Sequence, residues 1–129
     1  MRYWIVFPVL FVLLLTACGG AAETETAVPT SPPLTEEEAK GRKVFEVNCG
    51  ACHSILEDTV IVGPSMAGIA ARAATQNPKQ DGRTYLYTSI LRPDDFLVEG
   101  YENLMPTTFG KQLTGEELDA VVAYLMTLE

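Results

Sequence analysis

The only histidine of the chain lies in a short motif with two of its three cysteines. Residues 49–53 read Cys-Gly-Ala-Cys-His in a sequence of 129 residues. Two thiols separated by two residues and followed by an imidazole could form a redox dithiol, contribute to a zinc site, be joined in a structural disulfide, or attach a haem. Each of these chemistries requires different partners elsewhere in the sequence, so the remaining residues decide among them.

The third cysteine, Cys18, directly follows what we interpret as an export signal. Arg2 provides a positively charged start, residues 3–15 form an almost unbroken apolar run, and Leu-Thr-Ala precedes Cys18 as in a bacterial lipobox. The apolar run is shorter than the ~20 residues that a membrane-spanning helix needs. We therefore expect residues 1–17 to be a lipoprotein signal peptide and Cys18 to be lipidated, which would anchor the exported protein to the outer face of the cytoplasmic membrane. An uncleaved signal anchor is the alternative.

With Cys18 assigned to lipid, the motif favours haem attachment. A structural zinc ion needs four ligands, and two cysteines with one histidine are one too few. A thioredoxin-type dithiol is expected beside a βαβ pattern, which the sequence lacks, and a simple disulfide leaves the histidine unexplained. We predict that Cys49 and Cys52 bind one haem c covalently through its vinyl groups and that His53 coordinates the iron.

The charge and composition of the chain limit its partners and its domain organisation. The formal net charge is −8, which argues against nucleic-acid binding and requires that acyl chains, not charge, provide the membrane anchor. Residues 18–34, the lipidated cysteine and a small, acidic, proline-rich stretch, are interpreted as a flexible tether. Residues 35–129 remain as one domain, and a core of that size is marginal unless a bound cofactor contributes to it.

The elements that must position the motif are predicted to be helices. A capping box at Thr35 opens a helix that should run to about Asn48, immediately before the motif. A second capping box at Thr114 opens the last helix, whose apolar residues recur at the spacing of one buried stripe. A short helix over residues 85–91 should end before Pro93. No segment alternates over a length that suggests a sheet, so the predicted class is all-α.

Several segments of this domain resemble class I monohaem cytochromes c. They are Gly-x-x-x-Phe at residues 41–45, Gly-Pro-Ser-Met-Ala-Gly at residues 63–68, Leu-Met-Pro at residues 104–106 and Val-Val-Ala-Tyr-Leu at residues 121–125. The resemblance covers nearly all of residues 35–129. It implies a small all-α fold of three to five helices wrapped around the haem, with Tyr124 of the last helix against Gly41 and Phe45 of the first.

The resemblance also implies roles for residues around the haem. Met105, in the distal loop beside a proline, is expected to be the second iron ligand, while Met66 is expected to pack against the ring where the family has leucine. The Pro64 carbonyl should accept the proton of His53 Nδ1 and fix the orientation of the imidazole. Arg72 corresponds in position to the family's propionate-binding arginine, and a solvated surface cation is the alternative for it.

Methionine and histidine ligands leave no open position for a substrate, so the resemblance implies an electron carrier and not an enzyme. Residues 90–106 resemble cytochrome domains that serve respiratory complexes. The expected partners are a redox protein donor and acceptor, or a quinol-oxidising membrane complex of a respiratory or photosynthetic chain. Acidic residues near the expected haem edge, Glu46, Glu57 and Asp58, favour a basic partner. The alternative function is a haem-based sensor or gas-binding cytochrome with an open distal site.

Overall fold

Five helices, joined by turns and irregular segments, lie within residues 32–129, the part of the chain that the computed structural model describes. In chain order they are α1 (Glu36–Asn48), α2 (Ile69–Gln76), α3 (Gly82–Leu91), α4 (Phe109–Gln112) and α5 (Gly115–Leu125). This region contains no β-strand beyond an isolated bridge between His53 and Val60, and the predicted all-α class is confirmed. None of its helices is long and apolar enough to cross a membrane. The predicted signal peptide, Cys18 and most of the tether lie outside the described residues.

The first and last helices begin where their capping boxes predicted. The Thr35 hydroxyl accepts a hydrogen bond from the backbone N–H of Glu38, and the Glu38 carboxylate accepts one from the Thr35 N–H at 2.7 Å. Thr114 and Glu117 form the same reciprocal pair at the start of α5. These bonds satisfy N–H groups that a helix leaves without partners in its first turn. Helix α1 ends at Asn48, and the motif at residues 49–53 follows it directly.

Helices α1 and α5 cross at Gly41. A Cβ atom at this position would overlap the Ala120 carbonyl oxygen and lie 2.8 Å from Tyr124 Cβ, so only a glycine permits so close an approach. The rings of Phe45 and Tyr124 pack beside the crossing with their centroids 5.8 Å apart. The predicted meeting of Tyr124 with Gly41 and Phe45 is confirmed.

The core is centred on α5. Residues 120–125 are all buried, and Val121 and Val122 are the largest side chains that are fully buried. The buried surface of α5 is therefore wider than the single stripe predicted from the sequence, because α1 and α3 both pack against this helix. Leu118 and Leu128, at the two ends of the predicted stripe, are only partly buried.

Two helices were not predicted from the sequence, and one begins earlier than expected. The N-cap of helix α2 is Gly68, which adopts the left-handed conformation (φ 65°) and has no side chain that could cap the helix. Helix α4 is a single turn. Helix α3 begins at Gly82 instead of residue 85, because the Asp81 side chain accepts a hydrogen bond from the backbone of Thr84 at 2.9 Å. α2 and α3 pack against each other close to Gly82 and complete one wall of the cleft described below.

Candidate haem site

A largely apolar cleft of about 230 Å³ lies between the motif loop, α2, α3 and the segment that leads to α4. It is lined by every residue of the domain that the sequence predicted to contact the cofactor: Cys49, Cys52, His53, Pro64, Met66, Arg72 and Met105. The remaining lining is mainly aliphatic and aromatic and includes Tyr85, Leu86 and Ile90 of α3 and several residues of the segment between α3 and α4. The fold therefore brings residues from distant parts of the sequence to one apolar cavity.

The motif enters the cleft because α1 ends in a tight turn. Cys49 is the C-cap of α1 and donates its backbone N–H to the Phe45 carbonyl at 2.8 Å. The Cys49 carbonyl then accepts hydrogen bonds from the N–H groups of Cys52 and His53 at 3.0 and 2.9 Å. This turn places both thiols and the imidazole on one wall.

Both cysteines of the motif, Cys49 and Cys52, are free thiols in this structure. Burial and, to a smaller extent, the neighbouring Cys52 together raise the pKa of the Cys49 thiol to about 11, so the thiol is uncharged at neutral pH. Residues 32–129 contain no group of three histidine, cysteine or acidic side chains that could hold a metal ion together.

The orientation of His53 is set by the loop that follows it. His53 Nδ1 lies 2.8 Å from the Pro64 carbonyl oxygen, the contact expected from the sequence. Since a carbonyl only accepts hydrogen bonds, this contact places the proton on Nδ1 and leaves Nε2 free to act as a ligand. The imidazole lies directly against Gly63, where a Cβ atom would come within 2.8 Å of Nδ1. The N–H of Gly63 is bound in turn to the Cys52 carbonyl at 2.9 Å.

Two methionines line the cleft in different structural settings. Met66 is buried in the core, and its N–H donates to the Ser54 carbonyl at 2.7 Å. Met105 lies in the irregular segment between α3 and α4 and is only partly buried against the core. A side chain on such a segment is less constrained than one fixed in the core. The assignment of Met105 as iron ligand and Met66 as packing residue stays a prediction that agrees with these settings.

The guanidinium of Arg72 binds the backbone of the loop at residues 63–68. It donates to the Ser65 carbonyl at 2.6 Å and also to the Ala67 carbonyl. These bonds fasten the loop that carries Pro64, and they occupy donors that a propionate would use. The propionate-binding role of Arg72 stays a prediction, and it would require some of these donors to turn from the loop to the propionate.

Sequence reasoning missed Ser89, which also lines the cleft. Its hydroxyl is buried and has no hydrogen-bond partner in the described part of the chain. Its position four residues after Tyr85 and three after Leu86 places it on the same buried face of α3, which the helical spacing could have revealed. An unpaired buried hydroxyl is costly, so the cleft suits an occupant that brings a polar atom to Ser89.

The cleft fits a haem on four separate observations. It has an apolar lining, two thiols at the spacing of the attachment motif, an imidazole held by Pro64 with Nε2 free, and a buried hydroxyl without a partner.

The sequence pattern of the family described as Cytochrome c matches residues 38–129. The chain belongs to the cytochrome c family. Proteins of this family carry one covalent haem c, so this cytochrome transfers electrons through haem to and from redox partners. No curated protein matches the chain.

Proposed function

We propose that this cytochrome is a membrane-tethered one-electron carrier in which His53 and Met105 would bind the haem iron. The observation that carries the proposal is that both side chains line the same apolar cleft, one on the motif turn and one on the segment before α4. When bound, the haem supplies a one-electron couple at its iron. The residues of the chain bind the haem, orient it and exclude water from it.

Individual residues contribute to this carrier role in different ways. Pro64 keeps the proton of His53 on Nδ1, so that the unshared electron pair of Nε2 would be available to bind the haem iron. A thioether ligand from Met105 favours the reduced state and leaves no coordination position for a substrate or a gas. These roles support a carrier over a gas-binding sensor.

We propose further that lipid on Cys18 holds the domain at the outer face of the cytoplasmic membrane. The support is the lipobox-like Leu-Thr-Ala before Cys18 and the proline-rich stretch that follows it. A tether of this composition lets the domain reach partners near the membrane while the acyl chains stay inserted. On this proposal the partner is a quinol-oxidising membrane complex, which the cytochrome serves as a mobile carrier or as a fixed subunit.

Replacing the anchor cysteine tests the membrane attachment. Cys18→Ser should release a soluble, red, redox-active protein, because the acidic chain has no second hold on an anionic membrane. The measurement is the distribution of haem absorbance between membrane and soluble fractions after a high-salt wash. Gly20→Ser, two residues away, is the matched control and should remain with the membrane. Retention of both variants in the membrane would contradict the lipid anchor.

The salt dependence of electron transfer distinguishes a mobile carrier from a fixed subunit. Oxidation of the released domain by its acceptor should slow steeply with rising salt if the two proteins meet by diffusion, since screening reduces the reach of surface charge to ~10 Å at 0.1 M salt. Electron transfer in a fixed subunit should be nearly independent of salt and of protein concentration. Stopped-flow absorbance across a salt series measures the difference.

A further inference from the structure

The loop between His53 and Gly63 presents apolar side chains to solvent. Four of them form what we call the apolar platform: Ile55, Leu56, Val60 and Ile61, which are 44%, 65%, 60% and 51% exposed. Single exposed apolar residues are ordinary on protein surfaces, but four within one short loop form a concentrated patch. Exposed apolar side chains grouped in this way are typical of surfaces that bind another molecule.

The haem does not cover this platform. Three other exposed apolar residues, Val62, Leu97 and Leu104, line the cleft, so a haem bound there would contact them. None of the four platform residues lines the cleft. The platform therefore remains exposed in the haem-loaded cytochrome.

The platform is held in place by its own backbone. The N–H of Leu56 donates to the Ser54 hydroxyl at 2.9 Å, and the Leu56 carbonyl accepts a hydrogen bond from the Ser65 hydroxyl at 2.7 Å. An antiparallel bridge joins Val60 to His53. A loop already held in this way loses little conformational entropy when a partner binds, which favours association.

The charges of the loop indicate the kind of partner. Glu57 and Asp58 are exposed between the two halves of the platform, and residues 54–62 contain no lysine, arginine or aromatic residue. A loop that inserts into a membrane surface typically carries tryptophan, tyrosine or basic residues, and carboxylates are repelled by anionic lipid. A protein face with an apolar centre and nearby lysine or arginine side chains complements both features.

The platform also adjoins the covalent attachment point of the haem. Val62, which follows the platform residue Ile61, donates its N–H to the Cys52 carbonyl at 3.1 Å. The loop thus returns to Cys52, one of the two cysteines that attach the haem. A molecule seated on the platform would lie beside the motif.

We propose that the apolar platform docks the redox partner of this cytochrome, through a partner face that has an apolar centre and basic side chains facing Glu57 and Asp58. The inference rests on the proposed electron-carrier function and specifies the surface and the chemistry of the partner. The platform contributes apolar burial to the contact, and the two carboxylates set its orientation.

Photocrosslinking in cells identifies what occupies the platform. The photoreactive residue p-benzoylphenylalanine replaces Ile61 in the full-length, haem-loaded chain, and the control carries it at Val47. Val47 is an aliphatic residue of α1 that is 81% exposed and does not line the cleft. We expect position 61 to give a covalent adduct with a protein that carries its own redox cofactor, at least fivefold more abundantly than position 47. An adduct with lipid, an adduct with a second copy of this chain, or equal labelling at both positions would overturn the proposal.

Electron transfer to the crosslinked protein, once purified, provides the second measurement. Ile61→Ser should lower the second-order rate about fivefold, because it removes roughly half of one aliphatic side chain's burial from the contact. Glu57→Lys should lower the rate at low salt and reduce its salt dependence. Val47→Ser should change neither. Unchanged rates in both platform variants would overturn the inference.

A redox titration of each variant separates this inference from the proposed function. If the haem spectrum and reversible one-electron titration are normal while crosslinking and rates show no effect, the platform proposal fails and the carrier function stands. If the wild-type haem does not titrate reversibly, the carrier function itself fails.

Discussion

The contact between α1 and α5 makes Gly41→Ala a demanding test of the packing. The new methyl group would meet three atoms of α5: the Ala120 carbonyl oxygen, the Ala120 carbonyl carbon at 2.5 Å and Tyr124 Cβ at 2.8 Å. Two of these are backbone atoms, which cannot turn aside as the end of a flexible side chain could. The methyl group is accommodated only if the two helices separate.

The cost follows from the distances. Carbon atoms in contact normally lie ~3.5–4.0 Å apart, so relieving the 2.5 Å approach requires a separation of about 1 Å. A gap of that size forfeits roughly a quarter to a half of the dispersion energy across the contact, and overpacking typically costs about 1–3 kcal/mol. We take the upper end because the rings of Phe45 and Tyr124 pack beside this crossing. The better helix propensity of alanine returns about 1 kcal/mol. The expected net loss is about 2 kcal/mol.

Thermal unfolding of the haem-loaded domain, followed by circular dichroism, measures this loss. For a domain of this size about 2 kcal/mol corresponds to a decrease in Tm of roughly 8–16 °C. Gly115→Ala is the matched control, because a Cβ atom at the start of α5 would meet nothing within 4 Å, and its Tm should be equal to or slightly above that of the wild type. A Gly41→Ala protein that melts within about 3 °C of the wild type would refute the reasoning.

Three other changes test the site and the helix caps. Met105→Ala should open the haem iron to carbon monoxide and abolish the sulfur-to-iron charge-transfer band, whereas Met66→Leu should do neither; a Met105→Ala protein that excludes carbon monoxide would contradict the ligand assignment. Gly63→Ala should press a methyl group against the His53 ring and shift the electron paramagnetic resonance g values of the ferric haem, and unchanged g values would argue against the observed packing. Backbone and hydroxyl donors of the first turn of α3 hold the pKa of Asp81 below its usual range. Its carboxylate therefore stabilises the fold above the unfolded-state pKa, and this contribution is lost as pH falls through the lower folded-state pKa. Urea unfolding between about pH 6 and pH 3 should show a smaller acid-induced loss of stability in Asp81→Asn than in the wild type, and equal losses would count against the cap.

The helices with local signals could be predicted from the sequence. Thr35 and Thr114 begin α1 and α5 through contacts made within four residues, and such contacts are visible in sequence. α2 has no side-chain cap and depends on packing against α3, while α4 is a single turn. Stability that comes from long-range packing leaves little trace in local sequence.

The same distinction applies to the site. The motif at residues 49–53 could be placed from the sequence, because its spacing reflects the covalent attachment, and the role of Pro64 followed from the resemblance of residues 63–68 to the class I cytochrome c loop. Ser89 was missed, since serine is usually exposed and its unpaired hydroxyl is apparent only when the neighbours from other segments are known. The bonds from Arg72 to the Ser65 and Ala67 carbonyls likewise depend on a loop conformation that no local pattern specifies.

The loop from residue 54 to residue 62 divides its work between backbone and side chains. The N–H of Val62, at its C-terminal end, is bound to the Cys52 carbonyl, the Ser54 carbonyl at its other end is bound to the N–H of Met66, and Pro64, just beyond the loop, supports His53. An insertion or deletion within the loop would displace Pro64 and disturb the iron ligand, but a substitution at Ile55 or Ile61 changes only the outward surface. The loop should therefore tolerate substitutions at its outward-facing positions but not insertions or deletions. A designer could redirect this cytochrome to a new electron acceptor by exchanging those outward side chains while the haem environment stays as it is.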